Sequence, residues 1–122
     1  MPAEPDWFSR LALAVAGLLG AAGVAAAAGA THLGDPQILG SLALIALSQA
    51  PAVLGLALLA GRHWLMRIAT ALIGLGALAF SADLAVLHFM GASPLPIVAP
   101  LGGSTMILGW LALIPAALLA RC

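Results

Sequence analysis

Lysine is absent from this chain, arginine occurs four times, and there is one cysteine, Cys122. Each scarcity removes a class of function. Charged residues make up 7% of the sequence, whereas a soluble domain carries about 25%, so a water-exposed globular surface cannot be built from this composition. With a net charge of zero and no basic stripe, there is no electrostatic footprint for nucleic acid. No polybasic run is present to gather anionic lipid either, and Arg62 and Arg67 flanking Trp64 read as ordinary interfacial anchors. A lone cysteine supports neither an internal disulfide nor a metal cluster. Cys122 also does not sit in a prenylation box, which needs its cysteine three residues before the end, so a free thiol is expected.

What the chain does have is apolar length. Hydrophobic residues make up 64% of it and mean hydropathy is +1.19. Uncharged runs cover roughly Leu11–Ala30, Ile38–Ala60 and Ile97–Ala120, and a fourth, Ile68–Met90, contains a single acid, Asp83. A helix rising 1.5 Å per residue needs about 20 residues to cross a hydrocarbon core about 30 Å thick. Backbone polar groups cannot stay unpaired in lipid, so a spanning segment is a helix or part of a closed barrel. Barrel strands alternate apolar and polar over about ten residues, and none of these runs alternates. The expectation is an all-α, single-domain, four-helix transmembrane bundle over residues 1–122. The first run follows Arg10 and ends in small residues, as a signal peptide does, but it is longer than the 7–15 apolar residues of a signal core. It is expected to be a true span.

Arg10 precedes the first run, Arg62 and Arg67 lie between the second and third, and Arg121 follows the fourth. The other two loops contain no arginine. The positive-inside rule reads this as both termini cytoplasmic, with Trp7, Phe8 and Trp64 as interfacial aromatics on the same side. A bacterial inner membrane is the expected location, and a matrix-facing mitochondrial protein of the same topology is the alternative.

Within the runs, a few residues stand out. In helix 1, Gly17, Ala21, Ala25 and Gly29 recur every four positions, a small-residue pattern that lets helix backbones approach closely. Packing inside the bundle is the first expectation for that face, and docking on a partner helix the second. Helix 2 carries Ser48, Gln49 and Pro51 near its middle. Pro51 removes one backbone hydrogen bond and should kink the helix, and Gln49 is expected to face the bundle and bond across it. Asp83 is the intramembrane charge candidate of helix 3, lying about 10 Å inside the outer boundary at 1.5 Å per residue. A carboxylate there costs at least about 2.5–3.5 kcal/mol, so it should be neutral, paired or wet. Its expected partners are His88, His32 or the hydroxyls of helix 4. His88 lies about 140° further round the helix, which is poor geometry for a direct pair. Helix 4 should start between Ile97 and Pro100, since proline fits a first turn. It then presents Gly102 and Gly103 as a second small face, places Ser104 and Thr105 at the depth of Asp83, and bends at Pro115.

Pro100-Leu101-Gly102-Gly103 followed by Leu108-Gly109-Trp110, with Gly76-Ala77-Leu78-Ala79-Phe80-Ser81 and Gly29-Ala30, resembles the small YgdD/YwdK-like inner-membrane family, domain of unknown function 423. The resemblance runs from about Leu11 to Leu119. It implies a compact four-helix membrane protein and no established activity. The polar positions depart from the family pattern. Thr31 and then His32 stand where a histidine usually follows the Gly-Ala of helix 1. Gln49-Ala50 replaces a usual His-Ala pair, and Asp83 replaces a small residue or serine. The glycines match while the polar sites differ, as in a copy recruited to a specialised role.

No pair among Asp35, Asp83, His32, His63 and His88 has metal-ligand or nucleophile–base spacing, so no catalytic residue, metal or cofactor is assigned. His88 is the one histidine placed to ligate a tetrapyrrole, although hydrogen bonding at the interface is the commoner role of such a residue. The leading expectation is a non-catalytic accessory subunit or assembly factor that meets other transmembrane subunits within the lipid bilayer. The alternative is an oligomeric small transporter, or an ion or proton path using Asp83 and Gln49.

Overall fold

The computed structural model describes residues 6–93 and 95–119. It contains four helices: α1 (Trp7–His32), α2 (Pro36–Leu59), α3 (Trp64–Met90) and α4 (Val98–Leu119). All four are long and apolar enough to cross a membrane. Local chemistry explains where each begins and stops. Asp6 caps α1 by accepting from the Ser9 backbone N–H at 2.9 Å, which satisfies one of the donors a helix start leaves free. Pro36 opens α2, where its missing N–H is no loss. The imidazole of His63 caps α3, its Nδ1 accepting from the Leu65 N–H at 3.1 Å. Gly91 closes α3 in the left-handed region (φ 77°), its N–H donating to the Leu87 carbonyl at 2.9 Å, a conformation glycine adopts without strain. α1, α2 and α3 begin two to four residues before their apolar runs, because capping turns extend a helix beyond its hydrophobic core. Both internal prolines lie inside continuous helices: Pro51 in α2 and Pro115 in α4. Arg121, Cys122 and Ala120 lie outside the described residues.

The helices pack mostly in sequence order: α1 against α2, α2 against α3 and α3 against α4, with a lighter α1–α3 meeting. Among the described residues, α4 brings its backbone close to α3 alone. The bundle is therefore two hairpins joined through α2 and α3. Its buried core includes Leu19, Ala46, Val53, Ile73, Ala77 and Ala116.

Glycines set the distance between the helices. A Cβ built on Gly76 would lie 2.7 Å from the Gly102 carbonyl oxygen, and one on Gly102 would lie 2.8 Å from the Gly76 oxygen. Gly109 is as tight, 2.6 Å from Ile73 Cγ1 and 2.9 Å from its backbone nitrogen. In the α1–α2 hairpin the close approach is at Gly23, against Leu47.

The stripe expected on α1 is corrected by this packing. Gly17, Ala21 and Ala25 are exposed and only Gly29 is buried, and nothing lies within 4 Å of a Cβ built on Gly17. The buried face of α1 is Ala12, Ala16, Leu19, Gly23, Ala26 and Gly29. The reason is geometric. At 3.6 residues per turn, a strict four-residue repeat rotates about 40° per step, so Gly17 and Gly29 end about 120° apart. The buried set alternates steps of four and three, which keeps to one side. On α4 the same distinction separates Gly102, which is buried, from Gly103, which has open space above it.

Candidate functional site

The ends of the molecule differ in chemistry. Arg10, Arg62 and Arg67 gather at one end, where α1 starts and the α2–α3 turn lies. Arg67 pairs with Asp6 at 3.1 Å, and its guanidinium carbon sits 4.6 Å from the Phe8 ring centre. The Asp6 carboxyl is held below its ordinary value, first by the Ser9 backbone N–H; loss of hydration opposes this as the next-largest effect, and the Ser9 hydroxyl and Arg67 lower it further.

The opposite end holds Asp35, Asp83, His32 and His88. Asp83 is buried at 7% exposure. Its Oδ2 accepts from the Ser93 hydroxyl at 3.3 Å, while its Oδ1 is buried without a partner among the described residues. Ser81 Oγ is likewise buried and unpaired. The helix 4 hydroxyls do not serve Asp83, contrary to expectation. Ser104 is exposed, and the Thr105 hydroxyl donates to the Leu101 carbonyl of its own helix at 2.7 Å. Depth and rotation both decide the outcome, because the pairing of Gly76 with Gly102 and Met106 puts Ser104 and Thr105 level with Gly76 and about 10 Å along the helix from Asp83. Gly102 and Met106 occupy the face of α4 turned toward α3, and Ser104 is about 200° round from Gly102. The register set by the Gly76–Gly102 and Ile73–Gly109 contacts instead brings residues 95–99, the turn that leads into α4, alongside Asp83. That turn is the positive end of the helix dipole.

His88 is not a partner of Asp83 either, as its angular position indicated. Its Nδ1 lies 2.8 Å from Asp35 Oδ2, and its ring packs edge-on against Phe89. Asp35 stands before a proline at a helix start, a position from which an acid normally caps its own helix. Here it takes a left-handed conformation (φ 54°, ψ 48°), makes no cap bond and turns to α3. This pair ties the α1–α2 loop to the end of α3, and no local sequence rule points to it. His32 is exposed at the end of α1. Among the described residues no three His, Cys, Asp or Glu side chains gather as metal ligands.

Near the middle of the bundle, Gln49 bonds across to another helix as expected, but on the outside of the bundle and not facing into it. The partner is Trp110 of α4, whose Nε1 donates to Gln49 Oε1 at 2.8 Å. Gln49 Nε2 donates to Ser48 Oγ at 3.1 Å, and Ser48 in turn donates to the Ile45 carbonyl. Ser48 is exposed, and Trp110 is 43% exposed, so the chain of bonds runs along the outer surface.

A shallow groove lies between α1 and α2. It is floored by Ala16, Gly17, Gly20 and Ala50 and shouldered by Leu13, Val24 and Leu54. Of the exposed α1 stripe, Gly17 lies in this groove, which is left uncovered among the described residues. Comparison with family models, curated proteins and solved structures finds no match.

Proposed function

We propose that this chain is a four-span protein of the bacterial inner membrane with both termini cytoplasmic, and that it serves without catalysis as an accessory subunit or assembly factor of a larger membrane complex. Its resemblance to the YgdD/YwdK-like family bears on the four-helix architecture and implies no activity. One observation carries the proposal. Gly17, Ala21 and Ala25 point outward with open space over Gly17, while the close packing of the chain itself is done by Gly23, Gly76, Gly102 and Gly109. Lipid provides no hydrophobic force between helices, so close packing of small residues is the main route to association. A small-residue groove left open by its own bundle is a surface for another helix. Blue-native electrophoresis of gently solubilised membranes tests it. Wild type should migrate in a larger species. Gly17→Leu should fold normally, since its site is open, yet leave that species. If Gly17→Leu co-migrates with wild type, the groove is a lipid-facing surface and the role falls.

A second reading rests on Asp83 Oδ1, a buried carboxyl oxygen with no partner among the described residues. Unpaired ionisable groups at such depth are used in ion and proton paths. In reconstituted vesicles, Asp83→Asn should leave the fold intact. Proton flux present in wild type and lost in that variant would replace the accessory role with a transport one.

A further inference from the structure

At the arginine end, α1 and α3 diverge and leave a cleft between them of about 140 Å³. Phe8, Leu11 and Val15 of α1 form one wall, and Ala71, Gly74 and Leu75 of α3 the other, with Val53 of α2 at the floor. The lining is almost wholly apolar. The hydroxyl of Thr70, which also borders the cleft, is turned to the Met66 carbonyl at 2.6 Å, leaving it no free donor to offer an occupant. The cleft is far too narrow for a helix, whose diameter with side chains is about 10–12 Å. Its mouth is a different environment. Arg67 lies over Phe8 there and beside Trp7, at 4.6 and 6.0 Å from the ring centres. Among the described residues only its Nη1 is paired, with Asp6, which leaves most of the donors of the guanidinium fork to an occupant.

We propose that this cleft is a binding site for one acyl chain of an anionic phospholipid, with the lipid phosphate on Arg67. The inference rests on the membrane reading given above. The shape selects a flexible chain rather than a helix, and the charge at the mouth selects the headgroup. Guanidinium is suited to this role because its planar fork bonds phosphate through two N–H groups at once. Trp7 and Phe8, stacked edge to face, provide the amphipathic rim that aromatic residues form at headgroup level. Asp6 opposes the phosphate and therefore limits affinity.

The experiment uses the full chain in detergent, presented with equimolar phosphatidylglycerol and phosphatidylcholine of identical chains, and counts retained lipid by native mass spectrometry. Wild type should retain phosphatidylglycerol over phosphatidylcholine by about five-fold, the effect of one basic residue at a membrane surface. Arg67→Gln should abolish that preference, and Arg67→Lys should restore part of it. Asp6→Asn keeps a capping oxygen while removing the opposing charge, and should raise the preference. Ala71→Phe fills the cleft and should reduce retention of both lipids. Equal retention of the two lipids by wild type, or unchanged retention by Ala71→Phe, overturns the proposal. Alkaline carbonate extraction of the same membranes separates this failure from a deeper one. A chain that is extracted refutes the membrane reading, whereas a chain that stays and shows no lipid preference refutes the site alone.

Discussion

The two hairpins of this molecule use the same residue types to different ends. In α3–α4, Gly76, Gly102 and Gly109 bring backbone against backbone, with Cβ positions closer than 3 Å to carbonyl oxygens or amide nitrogens. In α1–α2, glycine is as frequent, but only Gly23 meets its neighbour that closely, and what it meets first is the flexible end of Leu47. Gly17, in the same helix, meets nothing. Small residues therefore permit close approach without dictating it. The one that becomes structural is the one whose rotation around the helix coincides with the partner's register. In both hairpins those positions follow alternating steps of three and four: Ala12, Ala16, Leu19, Gly23 and Ala26 on α1, and Gly102, Met106 and Gly109 on α4. This is the repeat that keeps a seam on one side of a helix.

The comparison breaks most easily at its tight half. Gly102→Ala or Gly76→Ala places a methyl group against backbone that cannot swing aside, and each should destabilise by about 1–3 kcal/mol. Gly17→Ala and Gly103→Ala should leave stability unchanged. Thermal unfolding in one detergent decides this, and a Gly102→Ala protein as stable as wild type would show that the α3–α4 seam is looser than described.

Smaller effects should come from the side-chain ties between the hairpins. Trp110→Phe removes the bond to Gln49, and Asp35→Ala removes the bond to His88. Each should destabilise by about 0.6 kcal/mol, the average for interhelical hydrogen bonds in membranes. The double variant should show the sum, because the two bonds lie near the middle of the bundle and at the end opposite the arginines and share no partner. A loss several times larger in either single variant would mean that these bonds, rather than glycine packing, hold the hairpins together.

The smallest effect belongs to the Asp6–Arg67 contact at the start of α1. A carboxyl held below its ordinary value contributes stability above that value and loses it as pH falls through the lower folded one. The window therefore lies below about pH 4. Because Asp6 is exposed, the effect on unfolding should be slight, and an NMR titration of its carboxyl is the sensitive readout. The midpoint should fall below the usual aspartate value and shift only partly upward in Arg67→Gln, since the Ser9 N–H is the larger cause. A midpoint at or above the usual value would remove the contact from the account.

Much of this was legible in the residues, and the division has a physical cause. Length and hydropathy determined four helices, because an apolar run of some twenty residues has one way to satisfy its backbone in lipid. Caps and turns were local too: proline at the start of α2 and glycine at the end of α3 act within a few residues. The need of Gln49 for a bond across the bundle followed from its depth. Which atom would supply that bond did not, since Trp110 is distant in sequence and reaches α2 only once α4 has settled on α3. Asp83 shows the same limit. Its burial was expected, but its proximity to Ser93 and to the first turn of α4 depends on register. Register and rotation escape sequence reading here because these helices are apolar on every side. In a soluble protein a polar face marks which side is inward. In this chain no such face exists, and shape complementarity between assembled helices decided which glycines pack, where the α1 groove opens and which polar groups meet.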